Sequence, residues 1–328
     1  MSCMGGMTIV RLFVATRTDD GHPLLFGVGG DEDTWSAEEF EAVQTDLLTV
    51  LNFGANEPFG VVQSALTGFS RRHDEIVGVA RAGERPDESS FRELQVFLYA
   101  FLTAMRSFLD QADRKLKQQF VADSRQRETL KARTKIEYDE NPAYRFVYDL
   151  RNHVQHHSVP LGPTVGHSTL VANEDGGEQV EHQLKVTCSR EQLLADGQFK
   201  PIVTEWLNKQ DAQFEIAPLL TSCMDSLRNI RIEYDLQRAP LAVTAAERLE
   251  PLLALFEGHP GQPGYARIMN TGDAQHIDFT EIPIGRYQLM LASARLALDA
   301  ESRGSSEALL IDAPDHHPTS ISFSTDDP

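Results

Sequence analysis

This chain has few cysteines, no long apolar run and no initial segment with the pattern of a signal peptide. Its three cysteines, Cys3, Cys188 and Cys223, are odd in number and widely separated, which argues against a disulfide framework or a zinc knuckle. No apolar run approaches the roughly 20 residues that span a bilayer. The start of the chain lacks a basic flank followed by an apolar core. We therefore expect reduced thiols, no membrane partner, no signal peptide and a cytoplasmic location.

Glycine-rich phosphate-binding motifs and positive charge are also lacking. The sequence contains no GxGxxG pattern, no P-loop and no glycine-flanked nucleophilic serine, and we predict no cofactor. Lysine and arginine number 30 against 49 acidic residues, which gives a formal net charge of −19. A field of this sign repels polyanions and argues against a general nucleic-acid binder.

One segment departs from this acidic balance. Between residues 114 and 135, eight basic side chains stand against two acidic ones, an excess of six positive charges. The excess predicts a surface that follows RNA phosphates, although a charge run is also typical of a solvated helix-hairpin tip. The predicted RNA-binding residues are Arg125, Arg127, Lys131, Arg133, Lys135 and Arg145.

The segment that follows has the periodicity of an amphipathic helix. Apolar residues recur at three- and four-residue steps from Tyr144 to Val154. Pro142 stands near the start, where its missing N–H costs little, and Pro160 limits the end. We expect a helix over residues 144–157, with His156 and His157 in its last turn.

The end of this helix carries Arg151, Asn152 and His156. Metal-free RNA cleavage needs a side chain that moves protons near neutral pH and a permanent cation that stabilises the phosphate in its charged transition state. Arg151 and His156 are five residues apart, so on one helix they project roughly 140° from each other. Two copies of the helix at a two-fold axis would line one cleft with two arginines and two histidines.

The pattern Arg151-Asn152-x-x-x-His156 resembles the signature of the HEPN superfamily, in which four to six residues separate an arginine from a histidine and a polar residue stands next to the arginine. Four residues separate them here. The resemblance covers residues 36–237. It implies a helical bundle that dimerises through the motif helices, and a metal-independent endoribonuclease of toxin–antitoxin or phage-defence systems, with an antitoxin or sensor protein as a possible partner. Arg151 would stabilise the charge on the phosphate, Asn152 would orient the phosphate or support the histidine, and His156 would transfer protons. Some relatives carry a modified tyrosine four residues after the histidine, but Pro160 stands there, so that mode of neutralisation is not implied.

Other interpretations of the histidines remain open. A non-catalytic HEPN-like module could bind RNA, a nucleotide or a protein partner. His153 and His157 are one helical turn apart, a spacing that suits zinc, with His167 and His182 as further ligands. The histidines could also be a solvated helix cap.

The predicted fold class is mainly α, a HEPN-like helical bundle with a short N-terminal β-hairpin, an inserted β-hairpin and a small C-terminal α+β appendage. We expect the first hairpin in residues 1–35, the helical domain in 36–239, the appendage in 240–300 and a mobile tail in 301–328. Within the helical domain, Ser36 and Ser90 should begin helices, and strands over 167–172 and 181–188 should form the inserted hairpin. Pro218 should kink or split a helix over 199–237.

Overall fold

The computed structural model describes residues 8–17, 23–28, 35–54, 57–82, 84, 86–157, 161–162, 167–172, 178–183, 185–195, 199–271, 274–303 and 320–324. Within these residues the protein is mainly helical, with small antiparallel sheets, so the mainly α prediction is confirmed. The helices are α1 (Ala37–Leu51), α2 (Glu57–Arg81), α3 (Glu88–Gln119), α4 (Arg125–Glu140), α5 (Pro142–His153), α6 (Arg190–Ala195), α7 (Pro201–Asn208), α8 (Ala217–Ala254) and α9 (Ile284–Arg303). The strands are β1 (Thr8–Arg17), β2 (Pro23–Gly27), β3 (Leu161–Gly162), β4 (His167–Ala172), β5 (Glu178–Gln183), β6 (Thr187–Ser189), β7 (Gln213–Glu215), β8 (Gln262–Thr271), β9 (Ala274–Glu281) and β10 (Ser320–Ser324).

The chain divides into two compact units. The helical unit is Asn56–Tyr234, and the sheet unit combines Met1–Ala55 with Asp235–Pro328. This division differs from the predicted helical domain over 36–239, because α1 belongs to the sheet unit. The predicted boundary between residues 239 and 240 lies close to the observed one between Tyr234 and Asp235, and both fall within α8, which continues through Pro240.

The sheet unit is built from both ends of the chain. Its five strands follow the order β10-β9-β8-β1-β2, and β1 pairs with β8 in the register Leu12 to Tyr265. The predicted N-terminal hairpin is present as β1 and β2, but it is part of a larger sheet and not an extension. The predicted mobile tail contains β10, which pairs with β9. Residues 304–319 and 325–328 of that tail lie outside the described residues.

The helical unit has its core along α3. The predicted apolar stripe of this helix is buried from Leu94 to Leu116, and α2 and α5 pack against α3. The helix begins earlier than predicted, because Asp87 and not Ser90 provides the cap, by accepting a hydrogen bond from the backbone N–H of Ser90 at 3.0 Å. Ser36 caps α1 with Glu39 in the predicted reciprocal arrangement.

The second half of the helical unit differs from the predicted long helix over 199–237. That stretch forms α7, β7 and the start of α8, and Pro218 lies in the first turn of α8, where a proline is tolerated. The second strand of the inserted hairpin is likewise divided, since β5 pairs with β4 while β6 joins β3 and β7. No helix among the described residues is long and apolar enough to cross a membrane.

Candidate functional site

Helix α5 is fixed at its start by Asn141. The Asn141 side-chain oxygen accepts hydrogen bonds from the backbone N–H groups of Ala143 and Tyr144 at 3.0 and 3.3 Å, and Pro142 occupies the first helical position. The Asn141 amide nitrogen donates to Ser226 of α8 at 2.9 Å. Because the cap is also tied to α8, the position of α5 within the helical unit is strongly constrained.

The end of α5 brings the three predicted catalytic residues to the protein surface. The helix ends at His153, earlier than predicted, and the N–H groups of His156 and His157 both donate to the His153 carbonyl at 3.1 Å. His156 therefore lies in the turn after the helix and not on its last turn. Asn152 and His156 are exposed, and Arg151 is partly buried.

The guanidinium of Arg151 contacts only neutral groups among the described residues. Its Nη1 donates to Oδ1 of Asn152 at 3.3 Å and to Oε1 of Gln155 at 2.8 Å. An amide oxygen orients a guanidinium without cancelling its charge. Since Gln155 directly precedes His156, the arginine is held toward the turn that carries the histidine.

The other two histidines of the segment occupy a different environment. The His153 ring is buried and stacks between His157, with centroids 4.9 Å apart, and Phe199, with centroids 5.0 Å apart. Stacked rings present their faces to each other, which is a packing arrangement and not a convergence of ligand nitrogens. The part of the chain that the structure describes holds no group of three histidine, cysteine, aspartate or glutamate side chains suited to a metal. For His167 and His182 the structure describes the backbone strands β4 and β5 and not the side chains.

The basic residues of α4 are largely paired with acids of the same helix. Lys131 donates to Glu128 at 2.7 Å and Lys135 to Asp139 at 2.8 Å. The hydrogen bond to Asp139 raises the pKa of Lys135. Arg133 lies 2.6 Å from Glu137, whose side chain is buried. Arg125 is exposed and Arg127 is partly buried at the start of this helix.

Arg145 requires a correction, because it does not belong to an exposed basic surface. Only 7% of the residue is exposed. Its Nε donates to the Tyr138 carbonyl at 2.8 Å, and Nη2 donates to the Asp139 carbonyl. Its guanidinium carbon lies 5.6 Å from the centre of the Tyr138 ring. These carbonyls belong to the last turn of α4, where a cation is favoured, so Arg145 stabilises the junction of α4 and α5.

Sequence reasoning missed Gln155 and a group of residues around Tyr148. Arg106 of α3 donates a hydrogen bond to the Tyr148 hydroxyl, and the Lys200 ammonium, just before α7, lies 5.6 Å from the centre of the Tyr148 ring. Tyr148 precedes Arg151 by three positions on α5. No local pattern links these residues, because Arg106 is 42 positions from Tyr148.

Two open grooves lie along α2, and neither is lined by α5. One has a volume of about 790 Å³ and is bounded by residues of α2 and Thr221. The other, about 410 Å³, contains His73 and the ion pair between Lys185 and Glu215. The buried thiols offer no nucleophile, because burial raises the pKa of Cys188 to about 12 and also raises that of Cys223.

Comparison of the chain with protein-family models, curated proteins and solved structures finds no match. The functional argument therefore depends on the chemistry of the residues themselves.

Proposed function

We propose that the protein is a metal-independent endoribonuclease of the HEPN type and that the end of α5 is one half of its active site. A single observation carries this proposal. Arg151 donates hydrogen bonds only to neutral partners among the described residues. Exposed Asn152 follows it directly, and exposed His156 lies in the turn after the helix. A charged guanidinium and an accessible imidazole are the two groups that phosphoryl transesterification requires.

The reaction assigns a role to each residue. One His156 removes the proton from a ribose 2′-hydroxyl, whose oxygen then bonds to the adjacent phosphorus. The bond from phosphorus to the 5′-oxygen breaks, and a second His156 protonates that leaving oxygen. The products are a 2′,3′-cyclic phosphate end and a 5′-hydroxyl end. Arg151 stabilises the charge on the phosphoryl oxygens, while Asn152 and Gln155 hold the guanidinium.

Two histidines with opposite protonation states are most simply supplied by a homodimer. A two-fold axis near α5 would place the Arg151 and His156 residues of two chains around one RNA strand. The mainly helical fold and the exposed end of α5 support this arrangement. A protein that stays monomeric by light scattering across micromolar concentrations would contradict the shared site.

Cleavage of single-stranded RNA in excess EDTA tests the proposal. The wild-type protein should produce 2′,3′-cyclic phosphate ends, and its rate should rise and then fall across the pH range in which histidines titrate. DNA of the same sequence lacks the 2′-hydroxyl and should remain intact. Activity that disappears with EDTA and returns with a divalent ion would show the metal-free mechanism to be wrong.

The His156→Ala variant should abolish cleavage because the proton carrier is removed. His259, an exposed histidine of the sheet unit, provides the matched control, and His259→Ala should cleave RNA at the wild-type rate. In cells, expression of the wild-type protein should arrest growth if the enzyme is a toxin or defence effector, and His156→Ala should relieve the arrest.

A non-catalytic module is the second candidate. The net charge of −19 and the ion pairs along α4 favour it, because both weaken the general attraction for RNA. Purified wild-type protein that cleaves no RNA, together with His156→Ala and Arg151→Ala variants that behave as wild type in cells, would support this candidate over the enzyme.

A further inference from the structure

Two cations surround Tyr148 one helical turn before Arg151. Tyr148 and Arg151 are three residues apart on α5, so their side chains leave the helix on neighbouring positions of one side. The Arg106 guanidinium donates to the Tyr148 hydroxyl, and its carbon lies 5.7 Å from the ring centre. The Lys200 ammonium lies 5.6 Å from the same ring centre. Arg106 of α3 and Lys200, just before α7, thus both contact the residue that precedes Arg151 by three positions on α5.

Lys200 is held in place by neutral and charged groups together. Its ammonium donates to the Tyr138 hydroxyl at 3.0 Å and lies 4.6 Å from the centre of that ring. The ammonium is 3.5 Å from one carboxylate oxygen of Asp149, and the Lys200 backbone N–H donates to the other at 3.4 Å. The hydrogen bond to Tyr138 raises the pKa of Lys200. The ammonium is therefore both charged and oriented near neutral pH.

Both cations remain accessible despite these contacts. The Lys200 side chain is 55% exposed and the Arg106 side chain is 37% exposed. Arg106 pairs with Asp110 through Nε and Nη2, at 3.0 and 2.9 Å, and with Tyr148 through Nη1. Among the described residues Asp110 is the carboxylate paired with Arg106 and Asp149 is the one paired with Lys200, so the three cations exceed their paired carboxylates by one charge, equal to that of Arg151. The tyrosine hydroxyls orient Arg106 and Lys200 without adding negative charge.

We propose that Arg106 and Lys200 form a subsite for a phosphate of single-stranded RNA, next to the phosphate that Arg151 binds, with Tyr148 and Tyr138 as positioning residues. The proposal rests on the function assigned to the end of α5. Residues three apart on a helix have Cβ atoms about 5–6 Å from each other, so the cations around Tyr148 lie beside Arg151. An RNA strand with its reacting phosphate at Arg151 therefore has a neighbouring phosphate within reach of the subsite.

Binding of a fluorescent single-stranded DNA oligonucleotide, measured by anisotropy over a range of salt concentrations, tests the subsite without cleavage. The double variant Arg106→Gln/Lys200→Gln keeps hydrogen-bond donors for the two tyrosines but removes both charges. Its affinity should fall at low salt, and the slope of log affinity against log salt should become shallower by about 0.7 for each lost phosphate contact. With RNA as substrate, KM should rise several-fold while kcat changes little.

The matched control is Arg92→Gln/Lys209→Gln, which removes exposed cations of α3 and of the residue after α7; its salt slope should equal that of the wild type. The variant Arg106→Lys/Lys200→Arg keeps both charges and should keep the slope even if melting temperature falls, which a purely structural role would not allow.

A wild-type protein that cleaves RNA while the neutral double variant binds with unchanged slope would overturn the subsite and leave the proposed function intact. A wild-type protein that cleaves nothing but loses oligonucleotide binding in the double variant would support the subsite and overturn the ribonuclease.

Discussion

Helix α4 and the end of α5 differ in how their positive charges are compensated. On α4, Lys131, Arg133 and Lys135 each contact a carboxylate three or four residues away. At the end of α5, Arg151 contacts two amide oxygens. Helix α4 therefore has little uncompensated positive charge despite its many basic residues. The single arginine at the end of α5 pairs with no carboxylate among the described residues and keeps its full positive charge.

The comparison shows that the number of basic residues on a helix does not measure its uncompensated positive charge. Solvent-exposed ion pairs on one helix contribute little to stability, typically about 0.3–0.5 kcal/mol, but they lower the electrostatic attraction for a polyanion. An arginine whose hydrogen-bond partners are neutral keeps its full attraction for a phosphate. Four experiments break or sharpen this comparison.

Removal of Arg151 should have the largest effect. The Arg151→Ala variant should cleave RNA roughly 10²- to 10³-fold more slowly, because one donor to the developing charge is lost, while its unfolding midpoint in urea changes little. On α4, Lys131→Ala should stay within about twofold of the wild-type rate, since its charge is already compensated. Equal losses in the two variants would contradict the comparison.

A carboxylate introduced beside Arg151 should have the second largest effect, because it would pair with the arginine as the acids of α4 pair with their basic residues. The Gln155→Glu variant places a carboxylate on the Arg151 guanidinium and should slow cleavage by about tenfold, equivalent to roughly 1.4 kcal/mol. The Gln155→Met variant removes the hydrogen bond without adding charge and serves as the control for lost orientation. Cleavage rates under single-turnover conditions measure both variants, and an equal rate for the two would show that charge is unimportant.

The two helices also differ at their starts, which predicts a difference in stability. Asn141→Ala removes the cap of α5 and the contact with Ser226, and should lower the free energy of unfolding by about 1 kcal/mol or more. Ser124→Ala at the start of α4 should cost less, because Ser124 makes no side-chain cap hydrogen bond. Urea unfolding of both variants makes the measurement, and an equal loss would contradict the structural difference.

Removal of the acidic partners of the α4 lysines should have the smallest effect, which is a change in RNA affinity. The double variant Glu128→Gln/Asp139→Asn frees Lys131 and Lys135 from their partners and should raise RNA affinity about two- to threefold, with a steeper salt dependence. Fluorescence anisotropy at several salt concentrations makes the measurement. Unchanged affinity would assign this helix to solubility alone.

The sequence predicted the parts of the fold that depend on local periodicity. The buried stripe of α3, the cap at Ser36 and the first hairpin are present as expected. The extent of α8 was not predictable from local signals, because packing overrides the usual effect of Pro240. The pairing of β1 with β8 joins residues far apart in the chain, so no local sequence pattern predicts it.

The candidate site was predictable in part for the same reason. Arg151, Asn152 and His156 share one segment, so their proximity along the chain was visible in the sequence. Asn152 and His156 are exposed and Arg151 is partly buried, but His156 follows the helix and does not lie in its last turn as predicted. The acids that compensate α4 were visible at helical spacing, but a count that stops at Lys135 omits Glu137 and Asp139. The burial of Arg145 and the contacts of Arg106 depend on packing between elements, which composition does not reveal.

The pairing of β1 with β8 has a consequence for the order in which the protein folds. The helical unit is one continuous stretch of chain, Asn56–Tyr234, whereas the sheet unit needs segments from both sides of it. During synthesis β1 emerges before the helical unit, and its partner β8 emerges only after the entire helical unit has been made. The helical unit can therefore fold before β1 pairs with β8. Its folding shortens the flexible loop that β1 and β8 must close, which lowers the entropic cost of completing the sheet.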